Sequence, residues 1–371
     1  MTLKKPYLLL PALAVLACVA AVAGCPESPS NPDTTATCPY TGPGIASCCN
    51  AGAGCSGDLS CNKYTCSCDD VVDPCGLLAS DAGVVIGPVA DAGTAPTGTV
   101  TSTGGTVDRL WFVATGDTRP GDCDDTANYP RAAINQIATV AKDLKAQFVL
   151  DLGDHMYVCN GDFAEAQTQM GYYTSAMALG PDTWFLTMGN HECGRFRSGG
   201  SGSATGCFGK VADSNFDTFM AATGRSKPWY NIDIQTSKGL ARIVVIANDS
   251  WDTDQKAWLI DTLTDADANA KYTIISRHQP FTGSRVGQQE IADIVLAHKY
   301  TLLLTAHSHT YYHGTEYSGR SAVVGIGGAP TSSAYGFVSI LQNNDANGSL
   351  TVQRRDINGN PIGTPWTVQP Q

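Results

Sequence analysis

The chain is short of positive charge and, past its first two dozen residues, of long apolar runs. Lys and Arg number 23 against 34 Asp and Glu, a net charge of −11 over 371 residues. That balance argues against a stable grip on nucleic-acid phosphates. Charged residues make up only 15% of the sequence, yet the 43% hydrophobic content is too high for a wholly disordered chain. No Gly-x-Ser-x-Gly elbow of a serine hydrolase occurs. Cysteine, by contrast, is plentiful, and its 14 copies point to an oxidising compartment rather than a reducing cytosol.

The apolar run Tyr7–Ala23 follows Lys4 and Lys5 and ends in small residues. Residues 1–24 therefore read as a secretory signal. Val22-Ala23-Gly24-Cys25 resembles a bacterial lipobox, which implies cleavage before Cys25 and its acylation. The expected product is an exported protein, lipid-anchored to a bacterial outer membrane or cell surface. Without Lys4 and Lys5 the mature chain keeps 21 basic against 34 acidic residues, a net −13. The lipid, not charge, would hold it to the membrane.

Three segments follow the signal. Residues 25–75 carry eight cysteines between Cys38 and Cys75, the density of a small disulfide-stapled module. Zinc is the weaker reading there, because the segment has no CxxC pair and no histidine. What partner such a module would bind is open. Residues 76–105 are rich in Gly, Ala, Thr, Pro and Asp and read as a linker. From 106 to 371, short apolar runs (Leu110–Ala114, Phe148–Leu152, Thr183–Met188, Ile243–Ala247, Thr273–Ile275, Thr301–Leu304) alternate with helix-like segments. The C-terminal part reads as successive strands with Asn347-Gly348 and Asn358-Gly359 as turns. The pattern predicts an α/β domain, a pair of mixed sheets with flanking helices.

Ligands gather at the carboxyl ends of strands in such folds. The ends of five runs carry Gly116-Asp117, Gly153-Asp154, Gly189-Asn190-His191-Glu192, His278 and His307-x-His309. Each alone is an ordinary turn or cap. Together they form a mixed carboxylate, amide and imidazole set suited to hard or borderline metal ions. One shared carboxylate would hold two ions roughly 3.5 to 4 Å apart, the spacing used for in-line attack at phosphorus.

This ordered set resembles the calcineurin-like metallophosphoesterase superfamily, and Gln255-x-x-Trp258-Leu259 is similar to a segment found there. Asp154-x-x-Tyr157 and Tyr311 resemble its purple acid phosphatase branch. The resemblance implies a four-layer α/β/β/α sandwich of mixed sheets. It implies one metal held by Asp117, Asp154, Tyr157 and His309, and a second by Asp154, Asn190, His278 and His307. It further implies His191 beside the leaving-group oxygen, and iron paired with iron, zinc or manganese. Asp154, Asn190 and His191 are then the catalytic candidates, and a phosphate ester, most simply a monoester, the substrate. The chain departs from the common pattern in Asp117-x-Arg119, where many members have Asp-x-His, and in Ala306, where glycine is usual. Tyr157 fills the vacant ligand place in that scheme.

Arg119 reads either as a phosphate clamp or as an arginine paired with Asp122, Asp124 and Asp125. Cys123, Cys159, Cys193 and Cys207 suggest two disulfides bracing the site loops, Cys193 with Cys207 and Cys123 with Cys159 by elimination. A phosphodiesterase or nucleotidase on the same fold, and a cell-surface interaction protein with a non-catalytic scaffold, are the competing functions.

Overall fold

The computed structural model describes residues 94–159, 162–193, 214–281, 287–330, 332 and 334–371. The signal, Cys25, the cysteine-rich segment, most of the linker and Cys207 lie outside the described residues.

Strands are numbered in chain order. The first sheet holds β1 (Gly98–Thr101), β2 (Gly104–Val107), β6 (Tyr230–Thr236), β7 (Gly239–Ile246), β8 (Tyr272–Arg277), β9 (Leu302–Thr305), β11 (Ser321–Val324) and β10 (Tyr311–Tyr312), side by side in that order. The second holds β14 (Trp366–Val368), β13 (Leu350–Asp356), β12 (Gly336–Gln342), β3 (Trp111–Thr115), β4 (Phe148–Asp151) and β5 (Trp184–Leu186). β3, β4 and β5 run parallel, as do β7, β8, β9 and β11. Antiparallel β12 and β13 extend the second sheet.

The apolar runs are continuous because the central strands are covered on both faces. In β3, Phe112 and Ala114 enter the core between the sheets, with Leu150, Ile243, Val245, Ile274 and Leu304. Trp111 and Val113 point the other way, onto Ile137 and Val140 of the helix Arg131–Asp143. β7 repeats the division. Its Ile243 and Val245 face inward, while Val244 and Ile246 meet Leu259 and Leu263 of the helix Thr253–Asn269 and Ile291 of the helix Gln288–Ala297. The result is the expected sandwich of helix, sheet, sheet and helix.

Several elements go beyond the sequence reading, among them β6, β10 and β14. The last residues of the expected linker form the antiparallel hairpin β1–β2, and β2 pairs in parallel with β6, so the fold begins before residue 106. Val100 and Val107 are buried there, and the glycines let the backbones approach. The helix Phe163–Met177, absent from the sequence reading, packs Ala166, Met170, Tyr173 and Ala176 beneath the site loops. Asp162 caps it by accepting from the backbone N–H groups of Ala164 and Glu165. Cys123 and Cys159 form the expected disulfide, joining the loops after β3 and β4. Cys193 is also disulfide-bonded.

Candidate metal centre

The five predicted strand ends converge. Asp117 and Asp154 follow β3 and β4, Asn190 and His191 follow β5, and His278, His307 and His309 come from the ends of β8 and β9 in the facing sheet. Ligand-capable atoms of Asp154, His278 and His307 lie within 4.8 Å of one another, and so do those of Asp117, Asp154 and His309. The two sets share Asp154. Its Oδ2 is 3.2 Å from His278 Nε2, while Asp117 Oδ1 is 3.3 Å from His309 Nε2.

Donor chemistry in these sets fits cations. Asp117 is fully buried, and neither of its carboxylate oxygens accepts a hydrogen bond. Asn190 Oδ1 is likewise buried without a donor. Orphaned buried acceptors are costly unless something positive meets them. His278 Nδ1 donates to the Leu152 carbonyl at 2.8 Å, which turns Nε2 toward Asp154. That is the usual way a protein aims an imidazole ligand. His307 Nδ1 faces His278 Nε2 at 3.2 Å.

The charged groups of the site shift one another. Burial raises the Asp154 carboxyl, but His278, His191 and Arg119 outweigh it and hold it well below the usual carboxylate range. Burial lowers His278, and Asp154 and Asp117 overcome that to lift it to about 9. His191 is pushed down to about 3, first by burial, with Arg119 and the other histidines adding to the effect against Asp154. Its Nε2 stands 3.7 Å from Asp154 Oδ2, and its ring meets Tyr157 edge-on at 4.1 Å between centroids.

Glu192 is a residue whose role the sequence reading missed. Fully buried, it accepts from three backbone N–H groups: Asp154 at 3.0 Å, His155 at 2.6 Å and Gly189 at 2.6 Å. It thereby ties the loop after β4 to the loop after β5. His155 sits between Glu192 Oε1 at 3.2 Å and Asp151 Oδ1 at 2.8 Å. Those two carboxylates overcome burial and raise its imidazole to about 10. Tyr173 donates to Asp151 at 2.7 Å, so the unpredicted helix also braces the network. The only sequence signal was Glu192 two residues after Asn190.

Gly325 was missed as well. A Cβ there would lie 2.3 Å from Asp117 Oδ2, so only glycine lets the carboxylate through. Ala306 fits where glycine was expected: its methyl lies beside Gly116, whose own Cβ would come within 2.9 Å of it. Gln255 pins the turn after β7, with Nε2 donating to the carbonyls of Ala247 and Ser250 at 2.9 Å. The Tyr311 hydroxyl accepts from Trp366 Nε1 at 3.2 Å. Arg119 is paired with Asp154 at 3.5 Å.

Solved structures of similar course include a dimetal phosphatase from Danio rerio (12% identity, 71% of this chain and 99% of that one, TM-score 0.48). They also include a conserved uncharacterized protein from Streptococcus pneumoniae TIGR4 (8% identity, 70% and 98%, TM-score 0.29). Vacuolar Protein Sorting 29 from Cryptosporidium parvum is a further one (11% identity, 70% and 98%, TM-score 0.31). No curated protein matches the chain. The family model for calcineurin-like phosphoesterases matches residues 110–311, more than half of the sequence and a span that holds all five strand ends, and the chain belongs to that family.

Proposed function

We propose that the protein is an exported, metal-dependent phosphoesterase that hydrolyses phosphate esters, monoesters first among them. The observation that carries the reading is the sharing of Asp154 by two carboxylate–imidazole sets, together with buried acceptors on Asp117 and Asn190 that have no hydrogen-bond donor. In this reading Asp117, Asp154, Tyr157 and His309 hold one ion, and Asp154, Asn190, His278 and His307 the other. Two cations bound there would supply the Lewis-acid charge that polarises a phosphate ester and activates the attacking water.

The chain's own groups do the rest. Asp154 bridges the sets, and Glu192 fixes the backbone that carries it. Asn190 offers a neutral oxygen, which leaves its ion more electrophilic than a second carboxylate would. His191, beside Asp154, would donate to the leaving-group oxygen. Burial of Asp117, Asp154, Asn190 and His278 keeps bulk water from weakening these interactions. The acid phosphatase-like, purple subtype, with iron beside iron, zinc or manganese, rests on Tyr157. So do export and lipid attachment on residues 1–25, which an intact mass of the mature N terminus tests.

Metal analysis of the purified full chain, paired with a panel of phosphate mono- and diesters, tests the reading. Two ions per chain and faster turnover of monoesters are expected. Failure to bind metal under varied supply would refute it, and a preference for diesters would move the assignment to the phosphodiesterase alternative. If iron occupies the Tyr157 site, a visible tyrosinate band appears and Tyr157→Phe abolishes it. An active but colourless protein moves the assignment to zinc, manganese or an all-ferrous pair.

A further inference from the structure

Arg119 stands where the family pattern often has a metal-ligating histidine, and its guanidinium goes into the ligand set. Nε lies 3.5 Å from Asp154 Oδ2, and Nη2 lies 3.2 Å from His309 Nε2. Nη1 donates to the Pro120 carbonyl at 2.8 Å. Cζ sits 4.7 Å from the centre of the Tyr157 ring, a cation–π contact on the remaining face. The residue is only 9% exposed. Its charge is therefore held in place and poorly screened.

A guanidinium in this position engages two of the three groups of the Asp117–Asp154–His309 set. An ion in that set needs the same imidazole nitrogen and the same carboxylate. The two cations also repel each other across a few ångströms of buried protein. The Asp154–His278–His307 set shares only Asp154 with it.

We propose that Arg119 is a built-in cation that competes with metal for the Asp117–Asp154–His309 set, so that the two sets load unequally: tightly at Asp154–His278–His307 and weakly at the other. The proposal rests on the metal-binding reading above. Tyr157 then acts first as the brace of the guanidinium. While the weak set is without its ion, Arg119 supplies the positive charge that compensates Asp154.

The test is a manganese titration of the chelator-stripped, disulfide-intact full chain, followed by electron paramagnetic resonance of the free ion. Manganese is a hard ion that the chain's many sulfurs bind poorly. The wild type is expected to take up one ion tightly and a second at least about tenfold more weakly. Arg119→Gln should tighten the second step by a similar factor and give the spectrum of a coupled manganese pair at lower total metal. Arg119→Lys, which keeps a charge, should tighten it less. Two equally tight ions in the wild type would overturn the proposal, whatever the variants do. So would an unchanged second step in a Arg119→Gln protein whose circular dichroism shows it folded. Absence of manganese uptake by both wild type and Arg119→Gln would instead bring down the metal-binding reading itself.

Discussion

Replacing Glu192 by glutamine keeps its size and removes its charge. Two of the three backbone donors, Asp154 and Gly189, meet Oε2, and the third, His155, meets Oε1. A glutamine that keeps its oxygen at the Oε2 place orphans the His155 N–H, at about 1–3 kcal/mol for a buried donor. It also strips the buried His155 imidazolium of one of its two carboxylates. Breaking a buried ion pair costs about 3–5 kcal/mol, and Asp151 remains to soften that loss. The combined expectation is about 3–5 kcal/mol, a large share of any domain's stability. At roughly 2–4 °C per kcal/mol, calorimetry of the chelator-treated protein should show a fall of at least about 6 °C. His155→Gln combined with Glu192→Gln should be less harmful than the two losses added together, because neither partner is then stranded. The same network fixes the sign of a pH effect. With the folded His155 pKa lifted to about 10, its contribution is complete below the unfolded value near 6.5 and is lost as pH rises toward 10. A loss below about 1 kcal/mol in Glu192→Gln, with full additivity, would refute the reasoning.

Asn190→Ala should behave oppositely. Its Oδ1 is a buried acceptor without a donor, so stability should change by less than about 1 kcal/mol while metal affinity and phosphoesterase turnover fall at least about tenfold. Equal loss of fold and activity would make Asn190 structural. Gly325→Ala places a methyl 2.3 Å from Asp117 Oδ2 and should displace that carboxylate, weakening metal uptake in a protein that still folds. Titration calorimetry checks it, and an unchanged affinity would mean that the loop carrying Gly325 yields without cost.

The sandwich and the ligands were legible because burial on both faces makes central strands into unbroken apolar runs, and each run is followed at once by its ligand. Phe148–Asp151 then Asp154, and Leu302–Thr305 then His307, are examples. The hairpin β1–β2 was hidden because only Val100 and Val107 face the core in a stretch otherwise made of Gly, Thr and Ser. The helix Phe163–Met177 was hidden because its buried face mixes the small Ala166 and Ala176 and the polar Gln169 with Met170 and Tyr173, while the apolar Phe163 is exposed. Glu192 was visible as a residue but not as a clamp, since its partners Asp154 and His155 lie 38 and 37 positions away. Arg119 could be read either as a phosphate clamp or as a partner of the nearby acidic residues. Which carboxylate it meets depends on β4 lying beside β3, and that pairing is tertiary.

Half of the strained non-glycine positions among the described residues are candidate ligands. Asp117, Asp154, His307 and His309 have φ of 59°, 64°, 70° and 49°, in the left-handed region that side chains other than glycine seldom adopt. Each costs on the order of 1 kcal/mol or more, and each must be held by neighbours. The holders can be named. Asp117 N–H donates to the Gly153 carbonyl at 2.9 Å, Asp154 N–H to Glu192, and Ala306 N–H to the His278 carbonyl at 2.8 Å. The abrupt turn after a buried strand is what aims the side chain across the gap between the sheets. It also explains the tolerance of Ala306, because the left-handed step falls on His307 and Ala306 does not share it. Ligand geometry is therefore held in part by backbone contacts. Residues that hold those contacts, Glu192 above all, should couple fold to metal binding, whereas residues that only present an atom, such as Asn190, should affect binding alone. Finding both classes equally destabilising would mean that the bound ion, and not the strained backbone, shapes the site.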